Sequence, residues 1–179
     1  MRMRKVAGVF MLVGAAVCGP PRHLANARGM AATPRPTPTC RPAQLTLSSV
    51  GAETEAGNVR ELFRWRNRST QACVLLGYPQ VHLLDARHRP QPTYVVHEGG
   101  RLTPPTADPR AVRLDHGGSA FVSLEWGDSP APGLLCPVSH YMRLTPPGAS
   151  SPQRVGEWAE WRTVCGGVLV VSPVEPRAF

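Results

Sequence analysis

The chain has 179 residues, 20 Lys+Arg against 12 Asp+Glu, a formal net charge of +8, and 20 prolines. That length supports one core of ordinary size. Four of the basic residues fall in the first 27 positions, which leaves a net +4 beyond them, and no basic run exceeds two residues. A nucleic-acid binder needs a clustered patch with interleaved aromatics, so that class is set aside. Every basic residue after position 27 is arginine, which we read as coding bias towards GC-rich codons that need not mean phosphate recognition.

Met1-Arg-Met-Arg-Lys5 is a short positive segment, and twelve uncharged residues follow it, VAGVFMLVGAAV at 6–17. Twelve residues suit the hydrophobic region of an export signal and are too few to span a bilayer, which takes about 20. Ala25-Asn26-Ala27 places small residues at positions −3 and −1 of a cleavage site. Residues 1–27 therefore read as a signal peptide and Arg28 as the mature start, with cleavage after Cys18 as the fallback. Lipoprotein anchoring at Cys18 is the lesser alternative, because branched Val17 stands where a small residue should precede the acylated cysteine. Residues 28–39, RGMAATPRPTPT, form a Pro/Thr-rich linker that favours extended polyproline II. No later segment approaches a membrane span. We expect a secreted, extracellular or cell-surface protein.

From Cys40 onward short apolar alternations are cut by Gly, Pro and Asn. Leu45 and Leu47 alternate with Thr46 and Ser48. Phe63 and Trp65 alternate with Arg64 and Arg66 before a turn at Asn67-Arg68-Ser69. Val74–Leu76 is closed by Gly77-Tyr78-Pro79, and Val81 and Leu83 precede a polar turn at 85–90. Thr93–His97 is rich in β-formers. Val112 and Leu114 precede His116-Gly117-Gly118. Ala120, Val122, Leu124 and Trp126 give the cleanest alternation, with Ser123 and Glu125 facing away. Met142 and Leu144 precede Thr145-Pro146-Pro147, and Val168–Val171 is apolar on both faces. About eight strands, turn signals every 8–15 residues and no helical pattern predict an all-β, immunoglobulin-like antiparallel β-sandwich in a single domain over 40–175. Two long loops are expected, 97–110 and 146–156.

Four cysteines remain beyond the signal: Cys40, Cys73, Cys136 and Cys165. They allow three pairings. We favour Cys40–Cys73 and Cys136–Cys165, each closing a loop of about 30 residues, which the chain-entropy model values at roughly 3–4 kcal/mol. A Cys73–Cys136 bridge of the antibody type wants a core tryptophan about a dozen residues after the first cysteine, and none occurs before Trp126. Structural zinc usually takes ligands in close pairs, and there is no Cys-x-x-Cys.

These stretches resemble the domain of unknown function 4232, common in exported proteins and lipoproteins of actinobacteria. The matching parts are Cys40-Arg-Pro-Ala-Gln-Leu45; Asn67-Arg-Ser69 leading to Cys73-Val-Leu-Leu-Gly77-Tyr-Pro79; VRLDHGGSAFVSLEW at 112–126; Cys136 before Leu144-Thr-Pro-Pro147; and Cys165-Gly-Gly-Val-Leu-Val-Val-Ser-Pro173. Asp115-His116 stands where that family often has proline. The resemblance implies an exported β-sandwich with two disulfides and no catalytic residues.

The residues themselves offer thin chemistry. His140 is in phase with Met142, and a His-x-Met pair suits copper, but two ligands are few. There is no Gly-x-Ser-x-Gly. Trp65 and Trp126 fall on apolar phases and read as core. Trp158 and Trp161 lie in the connection before Cys165, where they either cap the sandwich or form an aromatic ledge for a ligand. The expected role is an exported, non-enzymatic cell-envelope or extracellular binding or structural module. It needs no cofactor, binds no nucleic acid and has no integral membrane segment in its mature chain. The alternative is a metal (copper or zinc) binding or hydrolytic extracellular protein.

Overall fold

The computed structural model describes residues 35–105, 108–155 and 162–178. The signal region, Cys18, most of the linker, Trp158 and Trp161 lie outside the described residues. The protein is all-β with two disulfides. In chain order the strands are β1 (Leu45–Glu55), β2 (Asn58–Asn67), β3 (Cys73–Leu75), β4 (Gln80–Leu84), β5 (Tyr94–Val96), β6 (Val112–Leu114), β7 (Ser119–Gly127), β8 (Val138–Ser139), β9 (Tyr141–Thr145), β10 (Gln153–Val155), β11 (Arg162–Thr163) and β12 (Val168–Val171). Among the described residues the only helical turns are of the 3-10 type, at Pro42–Gln44 and Cys165–Gly167.

Five strands form one sheet in the order β1-β2-β7-β12-β5. Three more form the sheet β10-β9-β4, and β3 pairs β6 while β8 pairs β11. Every pairing is antiparallel except that of β5, which runs parallel to β12 at the sheet edge. Alternation decides what each strand buries. Val59, Phe63 and Trp65 on β2 point inward with Ala120, Val122, Leu124 and Trp126 on β7. They join Leu75 on β3, Val81 and Leu83 on β4, Leu114 on β6, Met142 and Leu144 on β9 and Leu169 on β12 in one continuous core. Apolar faces of separate sheets thus share one interior, the layering of a β-sandwich.

The bridges are Cys40–Cys73 and Cys136–Cys165, across 33 and 29 residues. The first sits inside the core. Beside it Val74 accepts from the Cys40 N–H at 3.0 Å and donates to the Pro38 carbonyl at 2.9 Å. Backbone pairing therefore already begins in the last residues of the Pro/Thr-rich stretch.

Two polar side chains act as internal ties. Asn67, fully buried, donates to the carbonyls of Gln71 (2.8 Å) and Leu114 (3.0 Å) and accepts from the N–H and hydroxyl of Ser69 (2.9 and 2.8 Å). All four of its hydrogen-bonding positions are filled. Its backbone also exchanges bonds with Gly117 and Gly118, so one residue ties the end of β2 to the turn before β7. Gln153 accepts from the Trp65 indole N–H at 2.8 Å and donates to the carbonyls of Pro42 and Leu45.

The outer face of β7 differs from the sequence expectation. Ser123 and Glu125 do face away from the core, yet both are buried, because the segment after β5 folds over them. The Glu125 carboxylate accepts from the backbone N–H groups of Arg101 (2.7 Å), Leu102 (3.0 Å) and Thr103 (2.6 Å). A Cβ on Gly100 would run into that carboxylate, so this approach requires glycine. Alternation marks which side a residue faces. It carries no information on what lies over that side.

Candidate functional site

The described residues hold eight large apolar side chains that are exposed, and four of them gather around the Gly166-Gly167 turn: Tyr94, Leu134, Leu135 and Val168. Scattered single exposures are ordinary. A contiguous group is the informative case. The most open are Leu135, 83% exposed, and Tyr94, 63% exposed.

Local structure places them. β5 is a sheet edge, so Tyr94 and Val96 alternate outward beside their register partners Val168 and Val170 on β12. The loop before Cys136 turns at Ala131 to Leu134, where the Leu134 N–H reaches the Ala131 carbonyl at 2.9 Å. The Cys136–Cys165 bridge then fastens this loop to the turn at 165–167. The Gly166 N–H donates to the Leu135 carbonyl at 2.7 Å, which holds the exposed leucine in place. Gly166 and Gly167 both have positive φ, 67° and 68°, a conformation that glycine adopts without the Cβ penalty. A Cβ on Gly167 would lie 2.5 Å from the Pro92 carbonyl oxygen, so the turn packs flat against the residue entering β5. Between them runs an open, apolar-lined groove of about 470 Å³ bounded by Pro92, Tyr94, Leu135, Pro137, Gly166 and Gly167.

The bridges, the Asn67 corner and the Gly166-Gly167 turn all lie within residues 40–175, the span matched by the family model described as Domain of unknown function (DUF4232). The chain belongs to this family. No curated protein matches the chain at a significant level. A DUF4232 domain brings no assigned chemistry with it, so any role rests on the surface of this chain.

The sequence-named residues fall in different places. Cys40, Cys73, Cys136 and Cys165 are bridged and hold the fold. Trp65 and Trp126 are in the core. Met142 is fully buried in the core, in register with Leu83 on β4, so its thioether is used in packing. His140 precedes β9 and its N–H donates to the Leu84 carbonyl. Among the described residues no three His, Cys, Asp or Glu side chains converge as a metal site would require. His82 and His97 line one shallow groove. There the His97 ring packs on Tyr78 with centroids 3.8 Å apart and its Nδ1 donates to the Val171 carbonyl at 3.2 Å. His88 stacks on Tyr141 at 4.1 Å. Among the described residues no helix is long and apolar enough to cross a membrane.

One carboxylate has a perturbed acidity. Asp85, in the turn after β4, is held below the usual carboxylate range, chiefly by the backbone N–H of Arg89, then by the Arg89 guanidinium and the Arg87 N–H. Its oxygens meet these groups at 2.7–2.9 Å. The arrangement closes a turn, and no reacting group accompanies it.

The apolar end escaped the sequence reading for a definite reason. Leu134 and Leu135 lie between prolines in a stretch that drew no assignment, and Tyr94 and Val96 fall in a β-rich stretch, 93–97, with no face assigned. The available signal was Leu-Leu directly before a bridged cysteine: a constrained loop offers little depth in which to bury both side chains.

Proposed function

We propose that the protein is an exported, non-enzymatic binding module that engages an extracellular or envelope partner through the apolar end formed by β5, the Leu134–Leu135 loop and the Gly166-Gly167 turn. The observation that carries this reading is a groove lined by the exposed Tyr94 and Leu135, with the exposed Leu134 and Val168 beside its Gly166 wall, on a disulfide-fastened frame. A fastened groove loses little conformational freedom on binding, and exposed Tyr and Leu anchors bury large apolar area when covered. The export half of the reading is supported by the basic-then-apolar N-terminus and by two bridges, which form and persist in oxidising compartments. N-terminal sequencing of the secreted form tests it, with Arg28 expected first and a diacylglyceryl group on Cys18 as the contrary outcome.

The binding half is tested with Tyr94→Ser/Leu135→Ser. Both side chains are exposed, so the melting temperature should stay within about 2 °C of the parent. Retention of proteins cross-linked in the extracellular fraction should be lost, since central anchors dominate interface energies. Undiminished retention by a folded double variant removes this end from the proposal.

A further inference from the structure

We propose that the outer face of β2, with its flanking strands, is an anion-binding strip for a linear phosphodiester polymer that lacks bases, centred on Arg64 and Arg66. It lies on the β1-β2-β7 side of the large sheet, away from the β5 edge; it shares with the reading above only the export of the protein, and is independent of the apolar end.

The register builds it. Arg64 lies between Ser48 on β1 and Phe121 on β7, and Arg66 between Thr46 and Ser119. Two guanidinium groups therefore rise from the same face two residues apart, about 7 Å along the strand, with hydroxyl residues on both sides. Guanidinium forks with neighbouring hydroxyls are the groups that proteins turn toward phosphate oxygens.

Three other arginines are neutralised. Arg60 pairs with Glu53 at 2.8 Å, Arg89 with Asp85 at 2.7 Å and Arg113 with Asp115 at 3.0 Å. Among the described residues no carboxylate pairs with Arg64 or Arg66. Arg66 is exposed and gives only its Nε to the Gly117 carbonyl at 3.2 Å. Arg64 is half-buried, and its one contact among the described residues is a long Nη2 bond to the Ser48 hydroxyl at 3.4 Å. Its Nε is buried with no acceptor. A charged donor left this poorly satisfied is uncommon, and an external anion would complete it.

The choice of anion follows from what is missing. Phe121 is the only aromatic in these two rows, whereas single-stranded nucleic acid wants successive stacking platforms. The bridges also place the protein in an oxidising compartment. A phosphate polymer without bases fits both facts.

The test is binding of a fluorescent poly(glycerol phosphate) oligomer to the full chain across a salt series. Arg64→Gln/Arg66→Gln should weaken binding about tenfold at low salt and flatten the log K against log salt slope by about 1.4, two contacts at roughly 0.7 each. Arg87→Gln/Arg143→Gln removes the same charge from the turn after β4 and from β9, in the other sheet, and should change affinity less than twofold. If the double variant does not fold, Arg66→Glu, on an exposed side chain, should produce the same loss. Equal losses in both pairs would reduce the effect to net charge and overturn the strip. Equal or tighter binding of a thymidine oligomer of matched charge would overturn the choice of polymer.

Discussion

Asn67 offers the sharpest handle on the fold. Asn67→Ala leaves the Leu114 carbonyl without its donor in a buried site and also strips the Gln71 carbonyl and the Ser69 N–H of their partners in partly buried ones. An orphaned buried group costs about 1–3 kcal/mol and the less buried ones less, so the total is about 3–5 kcal/mol. For a domain of this size that is a fall of about 10–15 °C in melting temperature, read by circular dichroism. Asn67→Asp separates hydrogen bonding from packing. It keeps the shape and the acceptor but aims a carboxylate oxygen at two carbonyls, so it must hold a proton to donate. Its folded pKa is then raised above the ordinary value of about 3.9. A raised pKa means stability present at low pH and lost as pH rises. Asn67→Asp should therefore be crippled at pH 7 and recover relative to Asn67→Ala as pH falls towards 4. A melting temperature for Asn67→Ala within 3 °C of the parent, or no recovery of Asn67→Asp in acid, would refute the claim that this side chain ties β2 to the turn before β7.

Three other outcomes are expected. Glu125→Ala should cost about 3 kcal/mol and raise amide exchange at Arg101, Leu102 and Thr103 selectively, since their N–H groups lose a charged acceptor; uniform exchange changes would show that the carboxylate does not hold this segment. Gly167→Ala should lower stability by at least about 1–2 kcal/mol for its positive φ alone, with a further loss from contact with the Pro92 carbonyl, measured by urea unfolding. For Asp85 the lowered folded pKa contributes stability that is present above the unfolded value of about 3.9 and is lost as pH falls through the folded one. The stability gap between the parent and Asp85→Asn should thus be open at pH 6 and close in strong acid.

Which parts of this molecule were legible in the sequence follows from how far each signal reaches. Ala120, Val122, Leu124 and Trp126 announce their strand and its inner face because period-two alternation is a property of the strand alone. Bridge pairing was legible because loop closure of about 30 residues and the missing tryptophan both depend on chain positions. The burial of Glu125 was not, since it is made by a segment more than twenty residues away whose N–H groups carry no side-chain signature. Asn67 was read as a turn residue, correctly as far as Asn-x-Ser goes, but its bond to Leu114 spans 47 residues. The short strands β8, β10 and β11 carry too few residues to show any period.

The pairing of Arg64 and Arg66 on one face was missed for a related reason. Counting contiguous runs tests for a basic loop or helix, whereas a strand sorts its residues by parity. Arg64 and Arg66 are separated in sequence by Trp65, a fully buried aromatic of the core, and that separation is what puts them side by side on the opposite face. The same parity explains why one strand can carry a core and a charged strip at once: Phe63 and Trp65 secure the fold, so Arg64 and Arg66 are not required for it and their sequence is free to serve a surface. Substitutions at the odd positions of this stretch should therefore register in stability, and those at 64 and 66 in anion affinity and its salt dependence. A large stability loss from Arg66→Gln would break that division, because it would mean the guanidinium is needed by the sheet itself.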